Sequence, residues 1–171
     1  VLKLMHRGYT RGRFLTIIEK LRRVKPDIGI STDFIAGFPG ETEEDFGETL
    51  SLAREVGFAQ AFVFKYSRRR DTPAADLPDQ VNQAVKEDRN QQLLEVVNES
   101  GRRQHQQFVG RQVQILVEGP SKKNSARITG RTRCNKIVVF DGSEHHRGQL
   151  LDLTVRRAGN FTLYGAADEG R

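Results

Sequence analysis

The residues best suited to hold a ligand lie in one short turn, where two glycines bracket a proline at Gly37, Pro39 and Gly40. Glycine has no Cβ atom, so the backbone of such a turn can approach a bound molecule closely. The turn follows an apolar run at residues 28–36 that predicts a buried strand. In parallel α/β folds, ligands bind beyond the carboxyl ends of strands, which is where this turn lies. Turns of this composition also occur as plain connections, so the context must decide between the two.

The distribution of charge predicts a polyanionic partner. The chain has 28 basic and 22 acidic residues, a net charge of +6. Residues 1–110 carry 17 basic and 16 acidic side chains, whereas residues 111–171 carry 11 and 6. The excess positive charge therefore lies in the C-terminal part, as in nucleic-acid-binding domains. A basic surface that is merely solvated is the alternative.

The cysteine and histidine content predicts no metal site in this chain. Cys134 is the single cysteine, so there is no internal disulfide and no cysteine cluster, which fits a reducing compartment. His145 and His146 have no cysteine or carboxylate at ligand spacing, so we expect a solvated loop. No apolar run is long enough to span a membrane, and no signal peptide is visible. The chain starts at Val1, in what resembles the middle of a helix, so we expect an excised fragment.

The N-terminal part reads as alternating helices and strands. Helices are predicted at residues 10–24, ending at Pro26, and at residues 43–56, where Thr42 and Asp45 suit the start and Gly57 the end. Strands are predicted at residues 28–36 and 59–66. This order implies parallel strands joined by right-handed crossovers.

A polar loop at residues 67–78 and a long charged helix at residues 80–108, with a possible break near Gly101, lead into a different pattern. From residue 111 the chain shows about five short runs of alternating apolar residues. Turns are predicted at Gly119-Pro120 and Asp141-Gly142. Short strands over so few residues predict a small, OB-like β-barrel.

Four sequence blocks carry a family resemblance. They are VLKLMHRGYT at residues 1–10, ISTDFIAGFPGET at 30–42, FKYS at 64–67 with TPAA at 72–75, and VEGPSKK at 117–123 with GRTR at 130–133. Their order and spacing resemble the radical SAM methylthiotransferases, closest to the MiaB type that modifies tRNA. The resemblance covers nearly the whole chain.

The resemblance implies a fold and a division into domains. Residues 1–110 would be the C-terminal strands and helices of a partial TIM-like radical SAM barrel with a trailing long helix, and residues 111–171 a TRAM domain. The family's cluster-binding domain and its CxxxCxxC motif would lie outside this chain. Cys134 matches no cluster ligand, so the chain should be inactive alone.

The function implied is transfer of a methylthio group to C2 of N6-isopentenyladenosine next to the anticodon of tRNA. The implied cofactors are S-adenosyl-L-methionine and two 4Fe-4S clusters, and the implied location is the cytoplasm. A sister enzyme acting on threonylcarbamoyladenosine tRNA or on a ribosomal protein is one alternative. A non-catalytic RNA-binding module is the other.

In this family, the turn after the fifth barrel strand and the end of the sixth strand flank the adenosyl group. No catalytic acid or base is assigned. Asp33 could be a group near the cofactor or a partner of a barrel arginine outside the chain, and Glu41 should cap or pair at the turn. The resemblance places cofactor contacts at Thr32, Asp33, Gly37, Phe38, Pro39, Gly40, Phe64, Lys65, Tyr66 and Ser67.

The RNA contacts are predicted in the barrel, because phosphates are bound by long cationic side chains. Phe161 and Tyr164 could stack on bases, whereas Phe140 is expected in the core. Arg68, Arg69 and Arg70 depart from the family's usual Pro- and Gly-containing stretch, and we expect a solvated run rather than phosphate contacts. The predicted RNA-binding residues are Lys122, Lys123, Arg127, Arg131, Arg133 and Lys136.

Overall fold

The structure is a computed structural model that describes residues 1–167, and it divides into two units between Ser100 and Gly101. The predicted domain boundary at residues 110 and 111 stays a prediction. Across the described residues, no helix combines the length and the apolar composition needed to cross a membrane.

The first unit contains a β-α-β arrangement. Its two strands are parallel, as the sequence predicts, and they pair from Ser31 with Gln60 to Ala36 with Lys65. The long helix α3 is continuous through Gly101, so the possible break there is absent. The elements are α1 (Arg11–Val24), β1 (Ser31–Ala36), α2 (Glu43–Val56), β2 (Gln60–Lys65), a 3₁₀ helix (Pro73–Ala75) and α3 (Gln83–Gln106).

Helix α2 begins and ends where its capping residues predict. The backbone N–H of Asp45 donates to the Thr42 hydroxyl and the N–H of Thr42 donates to the Asp45 carboxylate, both at 3.1 Å. This capping box lowers the pKa of Asp45, chiefly through the Thr42 backbone N–H. Gly57 ends the helix in the left-handed conformation, with φ of 58°. The loop carrying the glycine turn is therefore fixed on its C-terminal side.

The alternation of side chains in β1 gives the sheet one buried and one open face. Phe34 points into the core, where its ring meets that of Phe58 edge-on at 5.5 Å, and Ala36 is also buried. Asp33 and Ile35 point the other way and are exposed. The buried residues of this core are Ile18, Phe34, Phe46, Ala53, Val56, Phe58, Leu93 and Val97.

The second unit contains a closed five-stranded barrel in the order β3-β4-β5-β7-β6. All neighbouring strands are antiparallel except β5 and β7. This arrangement is consistent with the predicted OB-like fold. The strands are β3 (Gln112–Pro120), β4 (Ile128–Thr132), β5 (Ile137–Phe140), β6 (Leu150–Ala158) and β7 (Thr162–Ala167), with a 3₁₀ helix (Glu144–His146) before β6.

Two predicted turns are wrong in their role. Gly119-Pro120 does not turn but completes β3, where a bulge after Val117 accommodates Gly119 at a φ of 129°. Proline, which has no N–H to donate to the ladder, is tolerated there because the bulge lies directly before it. Asp141-Gly142 is not a hairpin turn, because β5 neighbours β7 and not β6 in the barrel. Phe140 lies in the barrel core, as predicted.

Candidate cofactor-binding and RNA-binding sites

A cavity of about 720 Å³ opens in the first unit beside β1. Its wall combines the N-terminal segment, the start of α1, strand β1 and one side of α2. Of the predicted cofactor residues, Thr32 and Asp33 line this cavity, together with Tyr9, Phe14 and Leu52. Charged side chains also line it, among them Arg11, Asp45 and Glu48. Small-molecule sites usually combine an apolar wall with polar groups that orient the ligand.

Next to the cavity lies the open sheet face, formed by Asp33, Ile35, Phe62 and Phe64. The register pairs Asp33 with Phe62 and Ile35 with Phe64, so the four side chains share one side of the sheet. Phe62 and Phe64 are 53% and 52% exposed, and their rings lie nearly parallel with centroids 6.5 Å apart. The structure thus brings two of the predicted cofactor residues, Asp33 and Phe64, onto one aromatic surface.

The glycine turn itself is largely interior. Gly37, Phe38 and Pro39 are buried, and Gly40 is exposed. The ring of Phe38 packs edge-on against the ring of Tyr66 with centroids 5.2 Å apart. The turn residues do not line the described cavity, and Phe38 and Pro39 contact protein rather than open space.

A buried ion pair braces this turn. The Glu41 carboxylate accepts a hydrogen bond from the Gly37 N–H at 2.7 Å and from Nη1 of Arg89 at 2.9 Å. Arg89, in α3, also donates to the Glu41 carbonyl at 3.0 Å and pairs with Glu43. Burial raises the pKa of Glu41, and the Gly37 N–H and Arg89 oppose that rise. Glu41 is therefore a pairing residue at the turn, as expected. We call Gly37, Glu41 and Arg89 the turn brace.

Helix α3 also explains why residue 37 must be glycine. Gly37 has a φ of 76°, which side chains rarely adopt, and a Cβ atom there would overlap Cγ of Lys86. The Lys86 ammonium lies 5.1 Å from the centroid of the Tyr66 ring. The Tyr66 hydroxyl is buried without a hydrogen-bond partner among the described residues. The glycine turn, helix α3 and the end of β2 thus pack against one another.

The remaining predicted residues at the end of β2 point elsewhere. The ammonium of Lys65 lies 3.2 Å from the carboxylate of Glu87 in α3, and Ser67 is exposed. The arginine run that follows is exposed, and Arg68 lies 4.0 Å from Asp76. Lys65 and Ser67 therefore do not join Asp33 and Phe64 on the open sheet face.

The predicted RNA residues lie in β4 and in the connections on either side of it. Lys122 and Lys123 are exposed in the connection between β3 and β4. Arg131, in β4, donates to Glu118 at 3.0 Å, and Arg133 donates to Gln114 at 3.1 Å. OB folds bind nucleic acid through the second and third strands and two flanking loops. In this barrel those parts are β4, β5 and the β3–β4 and β6–β7 connections.

Lys136 differs from the other predicted RNA residues because it is buried. Its ammonium lies 5.4 Å from the centroid of the Phe108 ring, and burial lowers its pKa. Little of this side chain is available to a phosphate. Phe161, by contrast, is 68% exposed in the β6–β7 connection.

Sequence comparison gives two family matches. The radical SAM superfamily model matches residues 1–53, and the TRAM domain model matches residues 106–167. Three relatives, each called tRNA-2-methylthio-N(6)-dimethylallyladenosine synthase, align over nearly the whole chain. Those of Clostridium novyi and Methylacidiphilum infernorum are 47% identical over 96% of this chain, and that of Moorella thermoacetica is 44% identical over 99%.

The chain contains a radical SAM superfamily match followed by a TRAM match, and it is similar over nearly its whole length to these synthases. It spans only 36%, 35% and 38% of the length of these three relatives. The radical SAM match contains the glycine turn, Glu41 and the β1 part of the open sheet face, whereas Phe62 and Phe64 lie beyond it. The TRAM match contains the barrel.

The donor set of this chain does not fit an iron–sulfur cluster. Cys134 is the single cysteine and is exposed. Among the described residues, no three histidine, cysteine, aspartate or glutamate side chains are grouped as metal ligands. His146 accepts a hydrogen bond from the Ser143 N–H at 3.3 Å in a surface 3₁₀ helix. A four-iron cluster requires several thiolates, so its ligands are not within this chain.

Three residues of these sites were missed by sequence reasoning. Lys86 and Arg89 lie in the predicted long helix, but nothing near them in the sequence marks their contact with the turn. Arg157, which contacts Tyr164, depends on a strand irregularity that the sequence does not signal. These are long-range packing features without a local motif.

Proposed function

We propose that the chain is part of a tRNA methylthiotransferase that adds a methylthio group to C2 of N6-isopentenyladenosine next to the anticodon. One observation carries the proposal: radical SAM and TRAM matches occur in one chain that aligns over nearly its whole length with relatives bearing that enzyme's name. Those names also favour isopentenyladenosine over the threonylcarbamoyladenosine and ribosomal-protein alternatives. A cytoplasmic location follows from a tRNA substrate.

The first unit would supply the last strands of a partial TIM-like barrel. Its β1-α2-β2 arrangement is the repeating unit of such barrels, and the open sheet face would then line the barrel interior. Asp33 and Phe64, on that open face, are the residues best placed to hold S-adenosylmethionine, whose bound form supplies the radical chemistry. Thr32 lies on the other face of β1 and lines the cavity. The turn brace would hold the backbone of Gly37 and Gly40 in place at the edge of that site.

The clusters of the parent enzyme would be ligated by residues outside this chain, so the chain alone should be inactive. The coding sequence upstream of residue 1 should therefore contain a CxxxCxxC motif. An upstream sequence without that motif would contradict the radical SAM assignment, whatever the RNA affinity of the barrel.

The second unit would bind tRNA through its basic loops and outer strands. Binding of the 171-residue chain to an anticodon stem-loop should weaken steeply with salt, with a slope of about 0.7–0.9 per phosphate contact. The double substitution Lys122→Glu and Lys123→Glu should reduce both affinity and slope. Its matched control is Lys3→Glu with Lys20→Glu, which changes the same charge at exposed positions of the first unit. Binding that is independent of salt would contradict the proposal.

A further inference from the structure

Arg157 has an unusual position on the barrel surface. Its side chain is exposed, and its guanidinium carbon lies 3.6 Å from the centroid of the Tyr164 ring. At this distance the guanidinium covers the aromatic face and gains a cation–π attraction. The stacking fixes the orientation of a side chain that would otherwise sample many rotamers.

A β-bulge places Arg157 over this ring. The register pairs Val155 with Gly165 and Arg157 with Tyr164, so two steps along β6 match one step along β7. Val155 faces the core, and Arg156 is the extra residue of the bulge. As a result, Arg156 and Arg157 are both exposed instead of alternating between the two faces. Bulges re-aim side chains in this way and are frequent next to functional sites.

The surroundings leave Arg157 open to a ligand. Arg127 also approaches the Tyr164 ring, at 6.0 Å, but its guanidinium is held by the Asp141 carboxylate at 2.8 and 3.0 Å. Within residues 1–167, no carboxylate pairs with Arg157. The exposed Phe161 lies in the connection that leads into β7. Arg157 therefore combines a fixed plane with unpaired N–H donors.

We propose that Arg157, stacked on Tyr164, is a binding site for an unpaired nucleobase of RNA. This inference rests on the proposed RNA binding and deepens it. Guanidinium planes and aromatic rings stack on unpaired bases, which have an open face. Bases inside a duplex have both faces covered by their neighbours. The site therefore selects single-stranded loops over paired stems, whereas the lysines of the β3–β4 connection bind phosphates of either.

The test compares two neighbouring arginines in the 171-residue chain. Arg157→Lys keeps the charge but removes the plane, and Arg156→Lys is the matched control on the same strand. The probes are a hairpin RNA whose unpaired loop carries 2-aminopurine and a fully paired duplex of equal charge. Arg157→Lys should lower hairpin affinity roughly fivefold or more and abolish the fluorescence change on stacking, with duplex affinity unchanged. Tyr164→Leu should have the same effect, and Arg156→Lys none.

The outcomes separate this inference from the proposed function. If the wild-type chain binds no RNA, both fail. If it binds RNA with the expected salt dependence but Arg157→Lys and Arg156→Lys behave alike, only the base-stacking site is overturned. Equal losses for hairpin and duplex on Arg157→Lys would likewise overturn it, because they would show a phosphate contact.

Discussion

The carboxylate of Glu41 and the guanidinium of Arg89 form an ion pair of 2.9 Å across 48 positions of sequence. The two residues are 7% and 4% exposed, so both charges are removed from water. The same carboxylate binds the N–H of Gly37, which joins the glycine turn to helix α3. The geometry of the glycine turn thus depends on a residue, Arg89, that lies outside the radical SAM match.

Removing Arg89 should destabilise the first unit strongly. Arg89→Met leaves the Glu41 carboxylate buried without its partner, which costs about 3–5 kcal/mol of unfolding free energy in comparable pairs. Adding Glu41→Gln should recover part of that loss. Urea denaturation measures both variants, with Lys25→Met as control because it removes only an exposed pair with Asp27. An Arg89→Met cost no larger than that of the control would contradict a buried brace.

Two glycines of the turn should respond differently to alanine. Gly37 and Gly40 have φ of 76° and 79°, so both substitutions bear the left-handed backbone cost of about 1–2 kcal/mol. Only at Gly37 does the added Cβ meet Lys86, whereas Gly40 has open space around it. Gly37→Ala should therefore lower the melting temperature further than Gly40→Ala. In a Lys86→Ala background, the melting temperatures of the two alanine variants should lie closer together, because most of the contacting side chain is gone. Equal losses for Gly37→Ala and Gly40→Ala in the wild-type background would contradict the steric explanation.

His105 should make the barrel unit less stable in acid. Its Nδ1 lies 2.9 Å from the Gly159 carbonyl oxygen and therefore carries the proton, and burial lowers the pKa of the ring, with Lys136 adding to the effect. The unfolded chain then binds more protons than the folded chain, so stability rises with pH through the ordinary histidine range near pKa ~6.5 and is lost below it.

The measurement is the free energy of unfolding between pH ~5.5 and ~7.5, where one such proton contributes a slope of at most about 1.4 kcal/mol per pH unit. His105→Gln should flatten this dependence, while His145→Gln, at an exposed position, should leave it unchanged. If the pH dependence of the unfolding free energy is unchanged in His105→Gln, groups other than His105 cause it.

Lys136 should contribute little to RNA binding, although its residue type suggests a phosphate contact. The ammonium is buried against the Phe108 ring, and its burial already lowers its pKa. Lys136→Met should leave the salt slope of stem-loop binding unchanged. Lys123→Ala, which removes an exposed charge, should lower that slope by about 0.7–0.9 if it contacts one phosphate. A large slope change for Lys136→Met would show that this lysine leaves its buried position when RNA binds.

The sequence predicted the elements whose signals are local. The capping pair Thr42 and Asp45, the terminating Gly57 and the core position of Phe140 all depend on residues within one or two turns or on strand alternation. The features it missed depend on distant contacts. Nothing near Arg89 indicates a buried partner, and nothing near Lys136 indicates an aromatic ring that covers it.

The roles of individual strand positions were harder still to predict. Gly119-Pro120 has the composition of a turn, yet a bulge keeps it within β3. Ile35 belongs to an apolar run that reads as fully buried, but it lies on the open face of a two-stranded sheet. Composition gives the type of an element, whereas its neighbours decide which face is covered.

The continuity of α3 through Gly101 has a practical consequence for isolating the barrel. A polypeptide that starts at residue 111 would lack both Phe108 and His105. The Lys136 ammonium would lose the ring that covers it, and the Gly159 carbonyl would lose its imidazole donor. The excised barrel should therefore have a lower melting temperature than the barrel in the full chain, and its RNA affinity would differ from that of the full chain. A polypeptide that begins before Gly101 keeps the end of α3, which covers the Lys136 ammonium and binds the Gly159 carbonyl.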